Sequence, residues 1–215
     1  MSKRTTVAIS TIQNLSEPIA TLLLPLMAID PSWVGIVGLG AGLIAVWREL
    51  AEDRGAEILK FINDNANKFS KDNLETNEFK STFLNVWEMC IRENSENKRR
   101  RLHHFLLGIG QKNDINSDLH TKIYSIINQL TDMEAQIFGF IYKEMQKKPD
   151  HHNLHVLGEH HIDHNYHPSV MEDACNSLHA YRLVDVVRPQ IGSGLIVMNL
   201  TPFGEVFYRY IIEVE

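Results

Sequence analysis

Seven of the eleven histidines fall within 17 residues: His151, His152, His155, His160, His161, His164 and His167, with Glu159 and Asp163 among them. Imidazole and carboxylate are the donors that zinc, nickel and copper accept. On a helix His160 and His164 would share a face, as would His161 and His164. His160, His161, His164 and His167 are therefore the candidate metal ligands, and a divalent transition metal is the one cofactor the tract suggests. The plainer alternative is a solvated histidine-rich linker. No HExxH pattern occurs and no cysteine lies in the tract, and exposed histidine clusters pick up metals without being sites. Unperturbed imidazoles also titrate near neutral pH, which leaves a pH response open.

Lys98, Arg99, Arg100 and Arg101 form a cationic run, with Arg92 shortly before it. Four adjacent cations suit nucleic acid, anionic lipid or an acidic partner. The alternative is a solvated helix face with Glu93 and Glu96 as its neighbours. Gly40, Gly42 and Ala45 satisfy GxGxxG/A, and Asp64 would be the ribose-binding acid. That motif needs a strand before it and alternating strands and helices after it. Residues 57–69 instead have helical spacing, so a dinucleotide site is not expected. Cys90 and Cys175 lie on apolar stripes, where thiols are usually inert core. No nucleophilic catalytic arrangement is identifiable, and the expectation is a non-enzymatic protein.

The elements that must hold these groups follow from apolar spacing. Ser16-Glu17-Pro18 opens a first helix reaching Ile29. Asp30-Pro31 opens a second, running to about Phe69, with Gly55 as a candidate break. Ser70 to Asn77 is a polar connector. Phe79, Phe83, Val86, Trp87, Cys90 and Ile91 make one helical stripe; Leu102, Phe105, Leu106 and Ile109 make another. Between the stripes Asn94-Ser95 is the corner, with Ser95 as N-cap. One long helix with a solvated middle is the alternative. Gly108 and Gly110 are expected to stop the second helix, and residues 111–117 to link onward.

Leu119, Ile123, Ile126, Ile127 and Leu130 mark an amphipathic helix. Thr131 to Glu134 is a capping box opening a helix with Met133, Ile137, Ile141 and Met145 on one face. Ser169 to Glu172 is a second capping box, with Val170, Met171, Ala174, Cys175, Leu178 and Tyr181 turned inward. Residues 183–188 and 195–200 form a hairpin around a Gly-rich turn. Thr201-Pro202 then caps a last helix, with Phe203, Val206, Phe207, Tyr210 and Ile211 buried.

The fold class expected is mainly α: an N-terminal helical region followed by a winged-helix-like α+β domain with one β-hairpin. Its parts are an apolar Gly-rich helical segment at 1–47, an amphipathic helical region at 48–112, and the winged-helix-like domain at 116–215 with the His-rich insert 151–167. At 215 residues the chain is long enough to fold without disulfides or metal. Two cysteines without CxxC spacing fit a reducing compartment, so the expected location is cytoplasmic. Between Ile19 and Trp47 the polar side chains are Thr21, Asp30 and Ser32 alone. Asp30-Pro31 cuts this stretch, and Trp33 to Trp47 is short of the ~20 residues a bilayer span needs. Gly38 and Gly42 have the spacing of close-packed membrane helices. Buried core is the favoured reading, and a membrane-associated effector is the rival.

The net charge of −6 lies in the second half. Residues 1–115 carry 14 cationic and 14 acidic side chains, and residues 116–215 carry 7 and 13. From 168 to 215 there are three basic and six acidic residues. Phosphate contacts dominate DNA affinity, so nucleic acid ranks below a protein partner. A DNA-binding winged-helix regulator is the second rival, and self-association stays open.

Three stretches resemble winged-helix proteins: L-T-D-M-E-A-Q-I-F-G-F-I-Y from Leu130, V-M-E-D-A-C-N-S-L-H-A-Y-R-L-V-D-V-V from Val170, and L-I-V-M-N-L-T-P-F-G-E-V-F-Y-R-Y-I from Leu195. The chain also resembles uncharacterised bacterial proteins related to the abortive-infection alpha type. The residues that carry this are 36–62, Glu78 to Leu107 with S-E-N-K-R-R-R-L, Leu130 to Tyr142 and Leu200 to Ile211. The insert at 151–167 departs from that layout. The resemblance implies a phage-defence context and carries over no catalytic residue.

Overall fold

The computed structural model describes residues 53–62, 64–74, 76–111, 116–147, 167–187 and 196–211. The expectations for 1–52, including the glycine motifs and the apolar run 19–47, lie outside these residues, as does the turn at 188–195. The fold is mainly helical, with one C-terminal hairpin among the helices. The chain divides into two compact units, with the boundary at His120/Thr121.

In the first unit α1 (53–62) is followed by a 3-10 turn, Ala66–Lys68, and a short α2, Lys71–Leu74. Two long helices come next, α3 (Asn77–Arg92) and α4 (Glu96–Gln111). The corner falls at 93–95 as the gap between apolar stripes predicts, and Ser95 Oγ accepts the Lys98 amide at 3.1 Å. Thr76 caps α3 in the same way through the Phe79 amide. Phe79, Phe83, Val86 and Cys90 of α3 are buried, as are Leu102, Phe105, Leu106 and Ile109 of α4 and Ile58, Leu59 and Ile62 of α1.

Several local expectations are corrected. Gly55 lies inside α1 and does not break it; a Cβ there would stand 3.2 Å from the Trp87 ring, so the glycine seats that indole. The helix expected to reach Phe69 gives way to the 3-10 turn before it. Residues 70–77 are not a plain connector: they hold α2, whose Asn73 and Leu74 are buried. α4 runs through Gly108 and ends at Gln111, one residue past Gly110. The Phe69 ring occupies the space a Cβ on Gly110 would need. The end of α4 is also closed by Ser70, whose amide donates to the Gly110 carbonyl at 2.8 Å.

The second unit begins within α5 (Ser117–Gln129) and continues with α6 (Asp132–Lys147), α7 (Pro168–Ala180), β1 (Val184–Val187), β2 (Ile196–Leu200) and α8 (Pro202–Ile211). The strands pair antiparallel, Val184 with Leu200 and Val187 with Ile196, and the register shifts between Asp185 and Val186. α7 packs on α6 and β1, and α8 packs on α6 and β2. Phe138 of α6 meets the rings of Phe207 and Tyr208 edge-on, and Tyr142 stacks on Tyr208.

The capping box of α6 is complete: Glu134 donates its amide to Thr131 Oγ1 at 3.2 Å, and Thr131 returns its own to Glu134 Oε2 at 2.8 Å. The inward stripe of α6 is Glu134, Ile137, Phe138, Ile141 and Tyr142, while Met133 and Met145 are half-buried at its margins. The cap of α7 is His167 and not Ser169. Proline at the first helical position fixes the cap one residue before it. Val170, expected inward, is exposed and Tyr181 is only half-buried, as are Phe203 and Val206 of α8.

The exit from α7 is a Schellman turn. Leu183 donates to the Leu178 carbonyl at 2.9 Å and Arg182 to the His179 carbonyl at 2.8 Å. Arg182 takes the left-handed conformation this requires, at φ 60. Among the described residues no helix is long and apolar enough to cross a membrane.

Candidate functional site

Of the four candidate metal ligands, His160, His161 and His164 lie outside the described residues. His167 is placed as the cap of α7, where its Nδ1 accepts the Ser169 amide at 3.3 Å and lies 2.8 Å from Ser169 Oγ. Among the described residues no three histidines, cysteines or acids converge on a point.

The cationic run at the start of α4 does not present four equivalent charges. Lys98 Nζ lies 3.2 Å from Glu93 Oε2, and Arg100 pairs with Glu96 one turn earlier at 2.6 Å. Arg99 reaches back to α1, with Nε on Glu57 Oε2 at 3.0 Å and Nη1 on the carbonyls of Glu93 and Asn94. Arg101 is buried. Arg54 of α1 completes the knot, donating to the Ile91 carbonyl at 2.6 Å and to Asn94 Oδ1 at 2.8 Å. Two arginines on different helices thus clamp the α3–α4 corner by its exposed carbonyls, which are natural cation sites at a helix C-terminus. Burial raises the Glu93 pKa, but the Ser95 amide and Lys98 outweigh it, and the carboxyl is held below its usual range.

Both cysteines are buried. Burial, then the Glu57 charge, pushes the Cys90 thiol up to about 12. Burial, then Glu172, does the same to Cys175. The thiolate is the reactive species, so both side chains act as small apolar core groups.

The surface expected to serve recognition falls on α7 and the hairpin, whose turn at 188–195, with Arg188, lies outside the described residues. On α7, Ser169, Val170 and Asp173 are exposed; on β1, Asp185 and Val187 are exposed. Val170 and Val187 stand out as apolar, at 37% and 48% accessible. Arg182 is exposed just beyond α7.

Sequence reasoning overlooked a second group, on α4 and α1. His103 and His104 flank the ring of Phe61, the first stacked at 5.0 Å and the second edge-on at 5.9 Å. The signal was present: two adjacent imidazoles lie inside the Leu102 to Ile109 stripe, where other positions are apolar or glycine. No protein-family model, curated protein or solved structure matches the chain.

Proposed function

We propose that the chain is a non-enzymatic interaction protein whose winged-helix-like unit meets a protein surface rather than a phosphate backbone. The observation that supports this is the make-up of the exposed recognition face: Val170 and Asp173 on α7, Asp185 and Val187 on β1. DNA affinity comes from lysine and arginine neutralising phosphates, and acids on the reading helix oppose it. Exposed valines beside carboxylates suit a partner that offers apolar side chains rimmed by lysine or arginine. Of the Lys98–Arg101 run, Arg99 is engaged by Glu57 on α1, Lys98 by Glu93 at the corner and Arg100 by Glu96 one turn earlier, so its charges are partly neutralised by neighbouring acids. The regulatory role in phage defence that the resemblance implies is the setting in which such an adaptor would work.

The test is a photocrosslinking residue placed at Asp173 in the full chain, in the producing cell, beside a DNA-retention series at rising salt. The expected result is a discrete protein adduct that Val170→Asp removes, with no DNA retained at low salt. DNA retention that falls steeply with salt would overturn this reading in favour of a DNA-binding regulator.

A further inference from the structure

Phe61 is the residue of α1 that meets the middle of α4. The two imidazoles that take it are unusual in their surroundings. His103 is only 4% exposed, and its Nε2 is buried with no hydrogen-bond partner. The Nδ1 of His104 is in the same condition. A neutral imidazole tolerates this at some cost, but an imidazolium there would hold a buried charge with no partner among the described residues to accept its N–H. Among the described residues, the charges that act on the rings are positive. On α4 these are Arg99 and His104 for His103, and Arg100 for His104; the 3-10 turn adds Lys68 on His104. Glu57, one turn before Phe61 on α1, is engaged by Arg99 at 3.0 Å.

We propose that His103, with His104 and Phe61, is a pH-sensitive clasp: the neutral rings hold α1 on α4, and a proton on His103 releases α1. Burial, then His104 and Arg99, lowers the His103 pKa from 6.5 to about 4. Burial, then Lys68 and Arg100, lowers that of His104 as well. In the released state His103 returns toward its ordinary value. Between the two values the released state binds a proton that the docked state refuses. The docked state is therefore fully favoured above about pH 6.5 and loses ground as pH falls toward about 4.

Trp87 reports on the docking, because its ring lies against Gly55 of α1. The experiment uses the full chain with Trp33→Phe and Trp47→Phe, so that Trp87 alone emits. Its emission and the far-ultraviolet circular dichroism are followed from about pH 7.5 to about pH 4. The expected result is a red shift of Trp87 emission in that window, ahead of any loss of helix. His103→Phe keeps the ring stack and cannot titrate, so it should abolish the early shift. An emission change that coincides with global loss of helix overturns the clasp, as does an unaltered early shift in His103→Phe. Should that variant fail to fold, the imidazole resonance of His103 in the unaltered chain decides: titration below the free-histidine value supports the clasp, and titration at or above it overturns it.

Discussion

Leu183 is flanked by two backbone choices that act on stability in opposite directions. Arg182, just before it, adopts a left-handed conformation that costs a residue with a Cβ about 1 kcal/mol or more. Its side chain is exposed, so a glycine there would relieve the backbone and lose no core contact. Arg182→Gly is expected to raise stability by about 0.5–1 kcal/mol, less than the full strain because glycine also frees the unfolded chain. Gly204, on α8, faces the Leu183 carbonyl so closely that a Cβ would overlap its oxygen. A backbone carbonyl tied into the turn cannot step aside. Helix propensity favours alanine by about 1 kcal/mol, but the overlap should outweigh it. Gly204→Ala is expected to lower stability by about 1–3 kcal/mol. Urea unfolding of both variants checks the pair, and a gain from Gly204→Ala would show that α8 sits farther from the turn.

At the level of elements, what was legible was what is local. The Thr131–Glu134 box could be read because both partners lie within one turn, and Thr131→Ala is expected to cost about 1 kcal/mol in the same urea assay. The corner at Asn94-Ser95 was visible as a break in the apolar stripes. The Thr201 cap was visible from Pro202, and Gly204 donates to Thr201 Oγ1 at 2.8 Å. Errors arose where a distant residue decided the outcome. Gly110 marks the end of α4 to within one residue, but the reason a glycine is needed there, the Phe69 ring from far earlier in the chain, could not be read. Residues 70–77 looked polar, yet Leu74 and Asn73 bury against the end of α4. The candidate sites follow the same rule. Lys98 to Arg101 could be read as a run of cations, but not the pairing of Arg99 with Glu57 on another helix. His103 and His104 could be read as polar intrusions in a buried stripe, but Phe61 could not be named as their partner without the fold.

The whole molecule offers one internal reporter per unit: Cys90 belongs to the first and Cys175 to the second. Both are buried, and burial holds both thiols at about 12. Alkylation at about pH 8 must therefore wait for each thiol to be exposed by opening, and its rate counts the open population. Two cooperative units and one cooperative unit then predict different patterns. If the boundary at His120/Thr121 separates two units, Gly204→Ala should speed labelling of Cys175 and leave Cys90 unchanged. Trp87→Ala, which removes the ring seated on Gly55, should speed labelling of Cys90 and leave Cys175 unchanged. A loss of about 1.4 kcal/mol corresponds to a roughly tenfold rise in the open fraction, so the two outcomes are well separated by mass spectrometry of the labelled peptides. Equal acceleration at both cysteines from either substitution would mean that the units open together. The hairpin and α7 of the second unit would then be stabilised by the same free energy that holds α1 in the first.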